Sequence, residues 1–199
     1  MIPLTYAIAL TGGISSGKSS VCSLLRLHGF HIIDADAIAH RILETLHQPL
    51  QKHFGVDVIE KGCVNRKRLG TIVFGDPEAR KVLEALTHPL IYGTILEECQ
   101  SREIFGKPYI VDIPLFFEVA EYPIDRSVLV YTPRTIQIKR LIERDGLNED
   151  QAFARLSAQL DIEEKKGKAT YLIDNSQDLR HLQREVDTFI TTIKESYGC

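Results

Sequence analysis

Tyr6-Ala7-Ile8-Ala9-Leu10-Thr11-Gly12-Gly13-Ile14-Ser15-Ser16-Gly17-Lys18-Ser19 is the stretch from which the fold can be read. Its last eight residues satisfy Gly-x-x-x-x-Gly-Lys-Ser/Thr at every fixed position. An apolar, β-prone segment runs into it, and Val21, Leu24 and Leu25 leave it at helical spacing. Strand, glycine loop and helix are the context this pattern needs in order to hold phosphate. The glycines let the backbone wrap with its N–H groups inward, at the positive end of a helix. Lys18 adds a point charge for the β- and γ-phosphates, and the Ser19 hydroxyl suits Mg²⁺. The alternative reading, a plain glycine turn beside a solvated lysine, leaves the strand and the helix unexplained.

Further segments of the same kind lie downstream: Phe30-His31-Ile32-Ile33, Tyr109-Ile110-Val111, Val128-Leu129-Val130-Tyr131 and Tyr171-Leu172-Ile173. They are apolar on both faces, as buried parallel strands are, and helical patterns separate them. The expectation is an α/β fold: a doubly wound sheet of five parallel strands, formed by residues 1–36, 106–133 and 169–199 of a single domain. Residues 37–105 are expected to be a mostly helical insertion that binds the acceptor, and residues 134–168 a helical lid. Inside the insertion, Asp76-Pro77-Glu78 is a helix start, with Asp as cap and Pro in the first turn. Thr87-His88-Pro89 is expected to break that helix or restart it. A loop is expected at Arg144-Asp145-Gly146-Leu147-Asn148.

Bulk composition narrows the field. The chain has 199 residues, 44% hydrophobic and 26% charged, with a net charge of −3. That is not the strongly basic balance of a nucleic-acid binder, so an anionic substrate must be met by local cations. No apolar run approaches the roughly 20 residues needed to cross a bilayer. The N-terminus lacks the basic start of a signal peptide, and a cytoplasmic, membrane-free protein is expected. Cys22, Cys63, Cys99 and Cys199 form no CxxC pair and read as reduced thiols. A guanine-reading Asn-Lys-x-Asp pattern is absent, which weighs against a regulatory GTPase.

Acidic and basic candidates follow. Asp34 and Asp36, taken as extended, point the same way at a strand end beside the loop. One could accept the proton of an attacking hydroxyl, and one could cap the helix that follows; spacing leaves both roles open for both residues. Asp112 closes the third strand and either holds Mg²⁺ through water opposite Ser19 or bonds to backbone. Glu118 either faces an acceptor pocket or starts a helix. Gln137, Arg140 and Arg144 fall on one helix face, suited to closing guanidinium groups over a triphosphate. Lys165, Lys166 and Lys168 read as a solvated run.

Taken in order, Ala9-Leu10-Thr11-Gly12-Gly13-Ile14, Asp34-Ala35-Asp36, His88-Pro89-Leu90-Ile91, Pro114-Leu115-Phe116-Phe117-Glu118, Gln137-x-x-Arg140 and Ile173-Asp174-Asn175 resemble the dephospho-CoA kinase family. The resemblance spans essentially the whole chain. It implies transfer of the ATP γ-phosphate to the ribose 3′-hydroxyl of dephospho-CoA, on a fold similar to the nucleoside monophosphate kinases. It implies that Asp36 is the general base and Lys18 and Arg140 the catalytic cations, with Arg140 in the lid. It places Gly12 through Ser20 and Asn175 around ATP, Asn175 near adenine, and His88 with Glu118 on the acceptor side. Mg²⁺ accompanies ATP, at Ser19. The sequence departs from the family at Ser15 and Ser20, where glycine and threonine are usual, and at His40 and Thr170, where arginine and aspartate are common. A monomer or weak homo-oligomer is expected. Two rival readings remain: a kinase for another small acceptor such as a nucleoside monophosphate, and a nucleotide-gated regulatory protein.

Overall fold

The computed structural model describes residues 3–119 and 122–198, so Cys199 lies outside the described residues. The first elements are β1 (Ala7–Gly12), α1 (Lys18–Leu27), β2 (Ile32–Asp34), α2 (Ala35–Thr45) and α3 (His47–Phe54). After a 3₁₀ turn come β3 (Ile59–Glu60), β4 (Cys63–Val64), α4 (Arg66–Gly75) and α5 (Pro77–Glu103). The chain continues with β5 (Tyr109–Asp112), α6 (Phe116–Val119), β6 (Arg126–Tyr131) and α7 (Arg134–Asp145). It closes with α8 (Glu149–Ser157), α9 (Ile162–Lys168), β7 (Tyr171–Asp174) and α10 (Leu179–Tyr197).

Contacts divide the chain into two compact units, one of Met1–Ile33 with Cys99–Cys199 and one of Asp34–Glu98. The first is built on a sheet in the order β2-β5-β1-β6-β7, with β1 parallel to β5 and β6, and β6 parallel to β7. Every residue of the central β1 is buried, which is why its sequence is apolar without alternation. Alternate residues Ile8, Leu10, Val128, Val130 and Ile173 join one core with α1 (Val21, Leu25) and α10 (Leu182, Val186, Phe189, Ile193). The five expected strands are all present. At the carboxyl end of β1, Gly17 takes φ 87 as the residue preceding α1. A side chain there would collide with the Asn175 amide, so glycine is required twice over.

The second unit has its own core of Leu50, Val58, Val64 and Leu69, with Leu43, Phe54, Ile72 and Leu83 packed against it. It contains an antiparallel pair, β3 and β4, that periodicity over such short strands does not reveal. The turn is Lys61-Gly62, with both φ values positive (51 and 79), the two-residue hairpin geometry that matches strand twist. Asp34 ends β2 and caps α2, its carboxylate accepting from the Ala37 amide at 2.9 Å. Asp36 therefore lies in the first turn of α2, not in an extended segment, and the two carboxylates do not share a strand face. The expected break at Thr87-His88-Pro89 is also absent, because α5 runs unbroken through Pro89. Pro89 deprives the Ala85 carbonyl of its donor, but Ala85 and Pro89 are both exposed, so water can serve that oxygen. The Asp76 cap is formed, with its carboxylate accepting from the Glu78 amide at 2.8 Å.

Candidate active site

The phosphate loop is held from outside by side chains of the sheet unit. Ser16 carbonyl accepts from the Asn175 amide at 2.8 Å and from the Thr132 hydroxyl at 3.1 Å. The Ile14 peptide is gripped on both sides. Its carbonyl accepts from Gln137 Nε2 at 2.7 Å, and its N–H donates to Gln159 Oε1 at 3.0 Å. The Ile14 side chain joins the core between α7 and α8, with Ile138, Leu141, Ala152 and Leu156. A Cβ on Gly13 would collide with the Gln137 amide, so that glycine makes room for the grip. With these groups turned outward, Gly17, Lys18 and Ser19 stand at the open start of α1, where amides have no intrahelical acceptor. The arrangement is an anion cradle at a helix N-terminus.

Ser15 adopts φ 59, the left-handed region that L-residues other than glycine visit at a cost. The Ser15 and Ser16 hydroxyls are buried without a protein partner. Lys18 Nζ reaches Asp112 Oδ1 at 2.6 Å, so the Asp112 carboxylate at the end of β5 faces the loop lysine rather than backbone. The other oxygen, Asp112 Oδ2, accepts from the Cys22 thiol at 3.3 Å. Burial, then the neighbouring Asp112 charge, pushes that thiol up to about 12, so Cys22 is a neutral donor here.

Arg140 donates to the Asn175 carbonyl at 3.0 Å and to Thr132 Oγ1 at 3.4 Å. It lines a cavity of about 310 Å³ together with Ser15, Gly17, Ser20, Asn175 and Gln177. The structure thus gathers Ser15, Gly17, Ser20, Arg140 and Asn175 around one opening beside the loop. Arg144 is elsewhere: it pairs in bidentate fashion with Asp145 (2.7 and 3.1 Å), which also holds Arg155. These two guanidinium groups depress the Asp145 pKa, the Arg144 hydrogen bond most. Glu118 lies in α6 and is paired with Lys165 at 2.6 Å. Lys165 is 0% exposed, so the solvated run expected at Lys165, Lys166 and Lys168 fails at its first member. An α9 that packs one face on the sheet must bury one residue of any such run, and Glu118 neutralises it. Lys166 stacks over Tyr131 and Lys168 pairs with Glu164. His88 and Asp36 belong to the second unit, both exposed, on α5 and in the first turn of α2.

Thr132 and Gln159 carry no motif, and sequence reading passes over them. A threonine after a strand and a glutamine in a loop are too common to signal loop support. Gln137 was visible only as a helix-face neighbour of Arg140; its burial (2% exposed) shows it facing the loop instead.

A parallel sheet with this loop at its central strand, a lysine beside a strand-end carboxylate and an arginine-lined cavity define a P-loop kinase. The model described as CoaE, dephospho-CoA kinase, matches residues 6–181. The dephospho-CoA kinase of Sulfurimonas denitrificans is 47% identical over 192 residues, 96% of each chain. That of Wolinella succinogenes is 47% identical over 199 residues, 99% of each. The structure of dephospho-CoA kinase from Campylobacter jejuni superposes with a TM-score of 0.79 at 37% identity, covering 96% of this chain and 98% of that one. The chain belongs to the dephospho-CoA kinase family, and its reaction is ATP-dependent phosphorylation of dephospho-CoA in coenzyme A synthesis. No helix among the described residues is long and apolar enough to cross a membrane.

Proposed function

We propose that the γ-phosphoryl group of ATP passes to the ribose 3′-hydroxyl of dephospho-CoA, with Asp36 as the general base. The triphosphate lies on the Gly12–Ser19 loop, where Lys18 and the helix-start amides offset its charge. Arg140 closes the outer side, and Asn175 lines the cavity that takes the adenosine end. The observation that carries this reading is the loop itself: its carbonyls are pinned outward by Thr132, Gln137 and Asn175 while Lys18 stays at its mouth. Phosphoryl transfer needs positioning and charge more than covalent chemistry, and this arrangement supplies both. Within residues 37–105 the acceptor meets the part that belongs to the compact unit Asp34–Glu98, with His88 among its contacts, and residues 134–168 act as the lid.

The donor set at the loop fits Mg²⁺. Ser19 and Asp112 offer hard oxygens, and a single carboxylate is usual where substrate phosphates and water complete the shell. Held there by Ser19 and Asp112, the ion would offset charge that develops during transfer. Lys18 then exchanges Asp112 for phosphate, and Asp36 takes the hydroxyl proton. Glu118 contributes to the acceptor side through its position after β5.

The test is ADP release with ATP and Mg²⁺ in the presence of dephospho-CoA, AMP, CMP or water, with the product's phosphorylation site read by ³¹P NMR. Stimulation by dephospho-CoA and a new 3′-phosphate are expected. Phosphate at another position, or stimulation by a monophosphate instead, would remove the proposed acceptor chemistry. Asp36→Asn is expected to lower kcat by about 10²–10⁴ with an unchanged circular-dichroism spectrum. Near-normal turnover in that variant would end the role of Asp36 as base.

A further inference from the structure

A second cavity, of about 470 Å³, opens in the sheet unit at the amino-terminal edge of the strands. His31 precedes β2 and Lys107-Pro108 precede β5, whereas the phosphate loop leaves the carboxyl end of β1. The two openings therefore lie at opposite edges of the sheet. In a parallel α/β sheet substrates collect at the carboxyl edge, so the kinase reaction does not account for this one. Its volume falls within the range of small-molecule sites.

Its lining is lopsided in charge. Arg102, Lys107 and Lys194 contribute three permanent cations and His28 and His31 two imidazoles, while no carboxylate lines it. That contrasts with a chain whose net charge is −3. The nearest acidic residue in sequence, Glu103, is outside the lining and is engaged by the Thr5 and Tyr6 amides and by the hydroxyl of Tyr109, which does line the cavity. Asp187 meets His28 at 3.3 Å from outside the lining.

The apolar part is unusual too. Phe30 and Phe105 form walls, and Arg102 lies 5.5 Å over the Phe105 ring. Phe105 is 64% exposed, and its neighbour Ile104 is 84% exposed. Exposed apolar side chains of this size beside clustered cations offer a ligand apolar surface to cover.

We propose that this cavity binds a planar organic anion, an aromatic ring bearing a phosphate. The ring stacks against Phe105 and Phe30, and the phosphate is taken by the guanidinium fork of Arg102 with Lys107 and Lys194 as point charges. Neither the phosphate loop nor the acceptor contributes to it.

Phenyl phosphate is the probe, titrated into ¹⁵N-labelled full-length protein, with inorganic phosphate and benzyl alcohol as separate arms. Saturable shifts are expected at the amides of Gly29, Phe30 and Lys107, weaker by about tenfold in Arg102→Ala/Lys194→Ala. Kinase turnover of the double variant is expected to match the parent. Lys107→Glu, at an exposed position outside any helix or strand, supplies the same comparison if the double variant does not fold. Shifts confined to residues 12–19, equal binding by the variants, or equal saturation by inorganic phosphate alone would each overturn the proposal.

Discussion

Lys18 faces Asp112 at 2.6 Å, and the Asp112 side chain is only 8% exposed, so the lysine serves the fold as well as the phosphate. Lys18→Ala should lower kcat by orders of magnitude and also cost about 2 kcal/mol in urea unfolding, because a mostly buried carboxylate loses its cation. Lys18→Met/Asp112→Asn should regain that stability without regaining activity, which separates the two duties. Cys22 gives a chemical readout of the same spot. Its thiol is held near pKa 12 by burial first, so at pH 8 almost none is thiolate. Iodoacetamide followed by peptide mass mapping should therefore mark exposed Cys63 in the native protein and leave Cys22 and Cys99 unmodified until urea is added. Rapid native labelling of Cys22 would contradict the burial assigned to it. The sequence announces Lys18 through its motif. It cannot announce the partner, because Asp112 is 94 residues away and only strand order brings β5 beside β1.

At the scale of elements, α5 carries its proline at an exposed position, and Pro89→Ala should restore the missing helical hydrogen bond. A gain of about 1–2 kcal/mol in unfolding free energy is expected, below the full cost of an interior proline because the helix already accommodates it. The β3–β4 hairpin is tied to α2 through Glu44, which accepts from the Val64 amide at 3.0 Å. That bond, then His47, holds the Glu44 carboxyl below its ordinary value. A depressed folded-state pKa contributes stability that is present above the unfolded value and lost as pH falls through the folded one. Glu44→Gln should accordingly lower stability at neutral pH and flatten the acid side of the stability–pH curve, so that variant and parent converge below the ordinary carboxylate range. The helix start at Asp76 was readable because capping is local chemistry, whereas Asn148, read only as part of a loop, proves to cap α8. The continuity of α5 was not, since whether a proline stops a helix depends on which side faces water. Asp36 was misplaced for a related reason: the cap at Asp34 starts α2 one residue later, and no extended segment survives to hold both carboxylates.

At the scale of the whole molecule, two units with separate cores predict separable responses to the two substrates. Saturating ATP·Mg²⁺ should slow hydrogen exchange in the loop, in α7 and around Asn175, and add about 2.7 kcal/mol of stability at a hundredfold excess over Kd. Dephospho-CoA should slow exchange mainly within residues 34–98. Protection of the sheet unit alone by both ligands would move the acceptor site out of the helical unit. The alternation of strands and helices made the sheet legible because its inner strands β1, β5 and β6 are buried on both faces and say so in their composition. The support of the loop was not legible: Gln159 reaches Ile14 across 145 residues, and polar side chains that serve a distant backbone leave no periodic trace.

The pairing of Lys165 with Glu118 constrains how this gene can drift. The ammonium is fully enclosed and lies 2.6 Å from the carboxylate, off the line of a hydrogen bond, so charge balance is what keeps it in place. Changing either codon alone strands an ion in the interior, an intermediate that selection removes before a compensating change arrives. The two positions should therefore be inherited as a block. Where descendants differ, they should differ at both, by exchange of the two signs or by joint replacement with uncharged side chains of similar volume.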